Sequence, residues 1–218
     1  MKINPSKGKA MPTTEEEYLQ FWKDTLPKLS LAASLDPPQM NKLAGNNRPS
    51  RIIYGAEAHE YGINPVNEET IQEYERVVNI NLPLNFRTYL KIFGCRSGGP
   101  GNGIDNIFDN IQYISKELHT PCPLEPREGM GHARESTDPE ETFFNNEYEF
   151  IYGEPKKGTL DIGDAGNPTV FRLVVHGATR GDVFADSGDV LRYEGSFEQF
   201  YINNLNETIS TLRSKRNV

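Results

Sequence analysis

The stretch Ile63-Asn64-Pro65-Val66-Asn67-Glu68-Glu69-Thr70-Ile71, continued by Leu82-Pro83-Leu84-Asn85-Phe86, Tyr89-Leu90-Lys91-Ile92-Phe93-Gly94 and Ser97-Gly98-Gly99-Pro100-Gly101, carries the densest local signals in the chain. Asn67 suits a helix N-cap, because its side-chain oxygen accepts from backbone N–H groups that the first turn leaves unpaired. Val66 and Ile71 flank it as a hydrophobic staple, and Glu68 and Glu69 match the positive end of the helix dipole. Ile71, Tyr74, Val77 and Val78 then form a helical apolar face. Leu82-Pro83-Leu84 stops this helix and starts another, with Pro83 suited to a first turn. Phe86, Tyr89, Leu90 and Phe93 recur at helical spacing, and Gly94 supplies a left-handed stop. The glycine-rich run from Ser97 to Gly103 fits no regular element. Two amphipathic helices, a short turn between them and an irregular loop behind them result.

Towards the amino terminus, Thr14 and Glu17 form a capping-box pattern ahead of an apolar stripe of Tyr18, Phe21, Trp22 and Leu26. The Asn-, Gly- and Pro-rich residues Asn41 to Tyr61 read as a long connection. Beyond the glycine-rich loop, a strand is expected around Asn110 to Ile114, then a surface insertion from Thr120 to Asn146. Gly158–Ile162, Val170–Val175, Asp182–Ala185 and Val190–Tyr193 are short strand-like runs separated by turn residues, the pattern of an antiparallel meander. Ser196 and Gln199 suggest a second capping box, opening a helix with Phe197, Phe200, Tyr201, Leu205 and Leu212 on its apolar side. Arg213, Lys215 and Arg216 suit the negative end of that helix. The fold class is α+β: a mainly antiparallel sheet packed by helices. Its parts are an amino-terminal helical extension over 1–62, an α+β domain over 63–212 with the insertion near 120–146, and a basic tail over 213–218.

Composition narrows the function. In 218 residues, 36% hydrophobic and 25% charged residues are those of an ordinary globular protein, and 15 Pro and 19 Gly imply many turns. A net charge of -8 argues against a nucleic-acid partner, since phosphate binding relies on clustered Lys and Arg. Cys95 and Cys122 are too few for a disulfide framework, which fits a reducing compartment. No secretory signal pattern follows Met1, and no apolar run approaches the roughly 20 residues that cross a bilayer. A cytoplasmic protein is expected.

The helix pair with its Leu82-Pro83 turn, the loop Gly98-Gly99-Pro100-Gly101, the strand and turn Leu160-Asp161-Ile162-Gly163-Asp164-Ala165-Gly166-Asn167, the strand Gly181-Asp182-Val183-Phe184 and the closing Ser196-Phe197-Glu198-Gln199-Phe200 resemble, in that order, the SUKH superfamily of Smi/Knr type. The likeness runs from about Ile63 to about Leu205, and the insertion from Thr120 to Asn146 is longer than the family's usual connection. The resemblance implies an α+β fold, no catalytic activity and no cofactor. Many bacterial members are immunity proteins that bind a toxin and block it, whereas fungal members are regulatory scaffolds without a toxin partner. For this chain the resemblance implies a cognate toxin as partner, with an acidic surface suited to a basic active-site cleft.

Catalytic readings find little support. A phosphate-binding P-loop needs Lys followed by Ser or Thr after its last glycine, and Gly103 is followed by Ile104-Asp105. His119 and Cys122 have a metal-ligand spacing but lack further ligands nearby, and His59-Glu60 begins a zincin-like pattern in which Ile63 takes the second histidine's place. A hydrolase would need Asp161, Asp164, His132, His176 and Cys95 to converge. Asp161, Asp164, Asp182, Asp186 and Asp189 mostly adjoin Gly or Asn and read as turn residues, with a partner-facing acidic rim as the alternative. From Glu135 to Glu154, acidic residues alternate with Phe143, Phe144, Tyr148, Phe150 and Tyr152 without one Lys or Arg. That segment is either an interface with aromatic anchors in an acidic rim or a core strand with a solvated face. The partner-binding residues expected are Glu135, Asp138, Glu140, Glu141, Phe144, Glu147, Tyr148 and Glu149, joined by Asp161, Asp164 and Asp186.

Overall fold

The computed structural model describes residues 11–40, 49–99, 101–109, 116–123, 157–165, 169–187 and 191–216. Helix α1, Glu15–Leu35, starts at the Thr14 capping box, whose two reciprocal bonds are both formed. It continues through Pro27 and buries Trp22, Leu29 and Ala32 against the rest of the chain. At its end the fully buried Asp36 carboxylate accepts from the backbone N–H groups of Ile52 and Ile53 and from the Tyr61 hydroxyl. This one side chain ties α1 to the segment that sequence pattern left as a plain connection. That segment also holds a two-residue antiparallel pair, β1 (Gln39–Met40) with β2 (Pro49–Ser50), and a short helix α2, Ala56–His59.

Helices α3, Glu68–Val78, and α4, Leu84–Ile92, are the predicted pair. Asn67 caps α3 by accepting from the Thr70 N–H at 2.8 Å. Ile71, Tyr74 and Val78 are buried, whereas Val77 is 48% exposed. Three consecutive turns of a helix bring i, i+3 and i+7 onto one line; Val77 falls a hundred degrees short of Val78 and leaves the face. Gly94 ends the aromatic helix at φ 80°, and a Cβ there would overlap the Asn64 carbonyl oxygen at 1.5 Å. Ion pairs seal the outside of α1, α3 and α4: Arg87 meets Glu68 and Glu75, and Lys91 lies 2.5 Å from both Glu15 and Glu68.

The meander forms as read: β3 (Thr159–Asp164), β4 (Val170–Val174), β5 (Asp182–Asp186) and β6 (Leu191–Ser196) make a four-stranded antiparallel sheet in chain order. The last helix, α5 (Phe197–Arg216), follows β6 directly. No capping box opens it; Gln199 turns forward and donates to Asn203 at 2.7 Å. Residues 213–216, expected as a basic tail, belong to the last turn of α5, where Arg216 donates to the Ser34 carbonyl of α1.

One face of the sheet, with Leu160, Ile162, Phe171, Leu173, Val183 and Ala185, packs into the main core beside α1, α3, α4 and α5. Period-two alternation puts Val174 and Phe184 on the other face, in a smaller cluster with Cys122, Leu191 and Tyr193. At the centre of the main core Trp22 meets Tyr89, Phe93, Phe197 and Tyr201, with ring centroids 5.2 to 6.0 Å apart. Among the described residues no helix is long and apolar enough to cross a membrane.

Candidate interaction surface

The sheet edge along β3 is where the glycine-rich loop and the expected Asp residues meet. The Asn102 N–H donates to the Asp164 carbonyl at 3.0 Å and the Asp105 N–H to the Ile162 carbonyl at 2.8 Å, so the loop lies alongside the strand. Gly163 permits this approach, since a Cβ on it would stand 2.5 Å from the Gly103 carbonyl oxygen. Asp105 is thereby placed beside Asp161 and Asp164. Its carboxyl pKa is raised, first by burial and then by repulsion from Asp164 and Asp161, with Arg96 opposing. Asp164 accepts from the Asn102 side-chain amide at 2.5 Å. The edge therefore concentrates negative charge, and a cation brought to it would relieve the repulsion that holds Asp105 back.

Asp161 and Asp186 do more than form a rim. Both lie in strands, as do Asp164 and Asp182, not in turns; Asp182 and Asp186 are the first and last residues of β5, and the β3–β4 register shifts between Asp161 and Gly163. Asp161 sits directly across from Arg172 of β4, and Asp186 is the diagonal neighbour, two residues beyond Arg172's partner Phe184. Arg172 reaches both: Nη1 lies 2.6 Å from Asp161, while Nε and Nη2 lie 2.8 and 2.7 Å from Asp186. Asp186 is 5% exposed, so its carboxylate serves the interior, whereas the Asp161 side chain remains 46% exposed. Arg172 was not expected from sequence. The signal was its place at the centre of the apolar run Val170-Phe171-Arg172-Leu173-Val174, where a charge must find partners on the neighbouring strands.

The remaining sequence candidates are dispersed. Glu135, Asp138, Glu140, Glu141, Phe144, Glu147, Tyr148 and Glu149 lie outside the described residues, as do His132, Asp189 and the strand expected at Asn110 to Ile114. Cys95 is buried, and burial pushes its thiol up to about 11, well above the range of a reactive thiolate. Asp164 pairs with Val170 at one end of the β3–β4 hairpin, while His176 follows β4 at the other end, beyond the Thr159–Val174 pair. Cys122 is buried in the second cluster, with its N–H donating to the His176 carbonyl. His59 is also buried; its Nδ1 accepts from the Tyr61 N–H at 2.9 Å, and desolvation lowers its pKa to about 4. Among the described residues no group of three His, Cys, Asp or Glu side chains is placed to hold a metal ion.

Comparison of the chain with protein-family profiles, with curated proteins and with solved structures returned no match.

Proposed function

We propose that this chain is an immunity protein of the bacterial cytoplasm, which binds a cognate toxin and blocks it by occluding the active site. The observation that carries the reading is the acidic sheet edge of Asp105, Asp161 and Asp164, in a chain of net charge -8. Support comes also from the order of motifs that resembles the SUKH superfamily: the helix pair, glycine-rich loop, antiparallel meander and closing helix. An acidic edge presented to a basic toxin cleft would accelerate encounter and fix orientation by charge. Aromatic anchors within Glu135 to Glu154 would then supply the desolvated centre of the interface. No bond is made or broken by the chain itself in this reading; inhibition is steric and electrostatic.

The test is co-expression with the product of the adjacent gene. A purified complex and relief of growth arrest are expected, and the triple variant E140K/E141K/E147K should weaken the complex at low salt while keeping the wild-type melting curve. Absence of a complex, with no relief of toxicity, overturns the proposal. An affinity that the triple variant leaves unchanged removes the acidic segment from the interface.

A further inference from the structure

Three separated segments close a cleft of about 420 Å³ at the end of the sheet away from Asp164. The turn between α3 and α4 contributes Asn79, Ile80 and Asn81; the 3₁₀ turn Lys116–His119 contributes Leu118 and His119; and the β4–β5 connection contributes Val175, His176 and Arg180. Its chemistry is the reverse of the acidic edge. Among the described residues lining it there is an arginine, two imidazoles and two carboxamides, and no carboxylate. Arg180 is the charged group among the described lining residues, and it is a cation in a chain of net charge -8.

Arg180 is held in place by one nitrogen. Its Nη2 donates to the carbonyls of Asn81 at 3.1 Å and Leu82 at 2.8 Å, which anchors the guanidinium to the turn that closes α3. Among the described residues its Nε and Nη1 donate to no protein acceptor, and neither imidazole of His119 and His176 makes a hydrogen bond. All three side chains are exposed to the cleft's solvent. The anchored guanidinium keeps its charge and the single donors at Nε and Nη1 for a phosphate or carboxylate oxygen. Half-buried Ile80 adds an apolar side, over a floor closed by Leu118 and Val175 of the core, and the volume lies within the range of small-molecule sites, larger than an inorganic anion needs.

We propose that this cleft binds a small phosphate monoester, with its phosphate against Arg180, His119 and His176 and its organic group against Ile80. Donors arriving from separate segments suit the three terminal oxygens of a tetrahedral phosphate better than the two coplanar oxygens of a carboxylate. The proposal is independent of toxin binding, since it uses none of the residues of the acidic edge.

The test is calorimetric titration of the full chain, at low salt, with phenyl phosphate, inorganic phosphate and benzoate. Saturable binding of phenyl phosphate is expected, tighter than that of either fragment. R180Q should weaken it about tenfold, the size of one lost charge-assisted contact. Because Arg180 also anchors a turn, H119Q/H176Q serves as the second variant; it removes no hydrogen bond among the described residues and should keep the wild-type melting curve while weakening binding about as much. No saturable binding of phenyl phosphate, or binding that a folded H119Q/H176Q retains in full, overturns the site. Benzoate binding as tightly as phenyl phosphate overturns the phosphate assignment.

Discussion

Replacing Trp22 by alanine tests whether α1 is an appendage or part of the core. Trp22 is fully buried, meets five aromatic rings and donates from Nε1 to the Asn85 carbonyl at 3.1 Å and the Thr88 hydroxyl at 3.2 Å. An indole buries about 200 Å², which at about 25 cal/mol per Å² amounts to about 5 kcal/mol. Measured truncations of buried Phe and Trp cost about 3 to 5 kcal/mol, because the cavity partly relaxes. With an urea dependence of about 2.5 kcal/mol per M for a chain of this length, the unfolding midpoint should fall by about 1.5 M, followed by circular dichroism. The Asn85 carbonyl does not become an orphan, since it lies in the first turn of α4, where a carbonyl accepts the N–H four residues ahead, so packing is the dominant loss. Trp22 is the sole tryptophan, and in the wild type its emission should shift to the red in the same transition. A W22A midpoint within error of the wild type, or native emission already that of a solvated indole, would refute the placement of α1 in the core.

Removing the carboxylate that takes Nε and Nη2 of Arg172, by Asp186→Ala, should cost about 2 kcal/mol, since these buried donors lose their charged acceptor while Nη1 keeps Asp161; D186A with a wild-type denaturation midpoint would refute the assignment. Two groups make stability fall with acidity. His59 is held neutral down to about 4 by burial, so between the ordinary imidazole value and about 4 the unfolded chain binds the proton that the fold refuses, a loss on the order of 3 kcal/mol that H59Q should abolish. Hydrogen bonds from Arg87 and Lys91 hold Glu68 at about 2, so its contribution is intact above the ordinary carboxyl range and is lost as pH falls towards about 2; melting curves from pH 8 to 2 should show the two windows in turn. Cys95, buried with its thiol pushed up, should react with a thiol reagent at pH 8 only after denaturation, and rapid native labelling would show that the loop opens.

Much of the fold was legible because its signals are local. The staple around Asn67, the Leu-Pro turn and the aromatic stripe from Phe86 to Phe93 each lie within a few residues, and all appear in the helices. Strand runs broken by turn residues likewise led to the meander. What failed needed information from elsewhere in the chain. Val77 passed as a core residue because its neighbour Val78 is one. The Ser196 capping box did not form because Ser196 is still paired in β6, opposite Asp182, when α5 begins. Asp186 looked like a turn residue until Arg172 and the strand register were known. The weight of α1 in the core was hidden because its contacts are with α4 and α5, far along the chain.

The two chemical ends of the molecule follow from one register. Because β3 and β4 pair from Thr159–Val174 to Asp164–Val170, the aspartates near Gly163 are carried to the end where the glycine-rich loop brings Asp105, while Val175, His176 and Arg180 emerge at the other. Sequence pattern singles out His119 as a metal ligand in search of partners and His176 as a member of a hydrolase set; the fold places both on one cleft with Arg180, whose guanidinium is clamped by the α3–α4 turn. A slip of one residue between β3 and β4 would turn Asp161 away from Arg172 and expose Ile162, so the ion triad and the core face specify the same pairing. The register that buries the apolar face is thus the one that separates the acidic edge from the basic cleft.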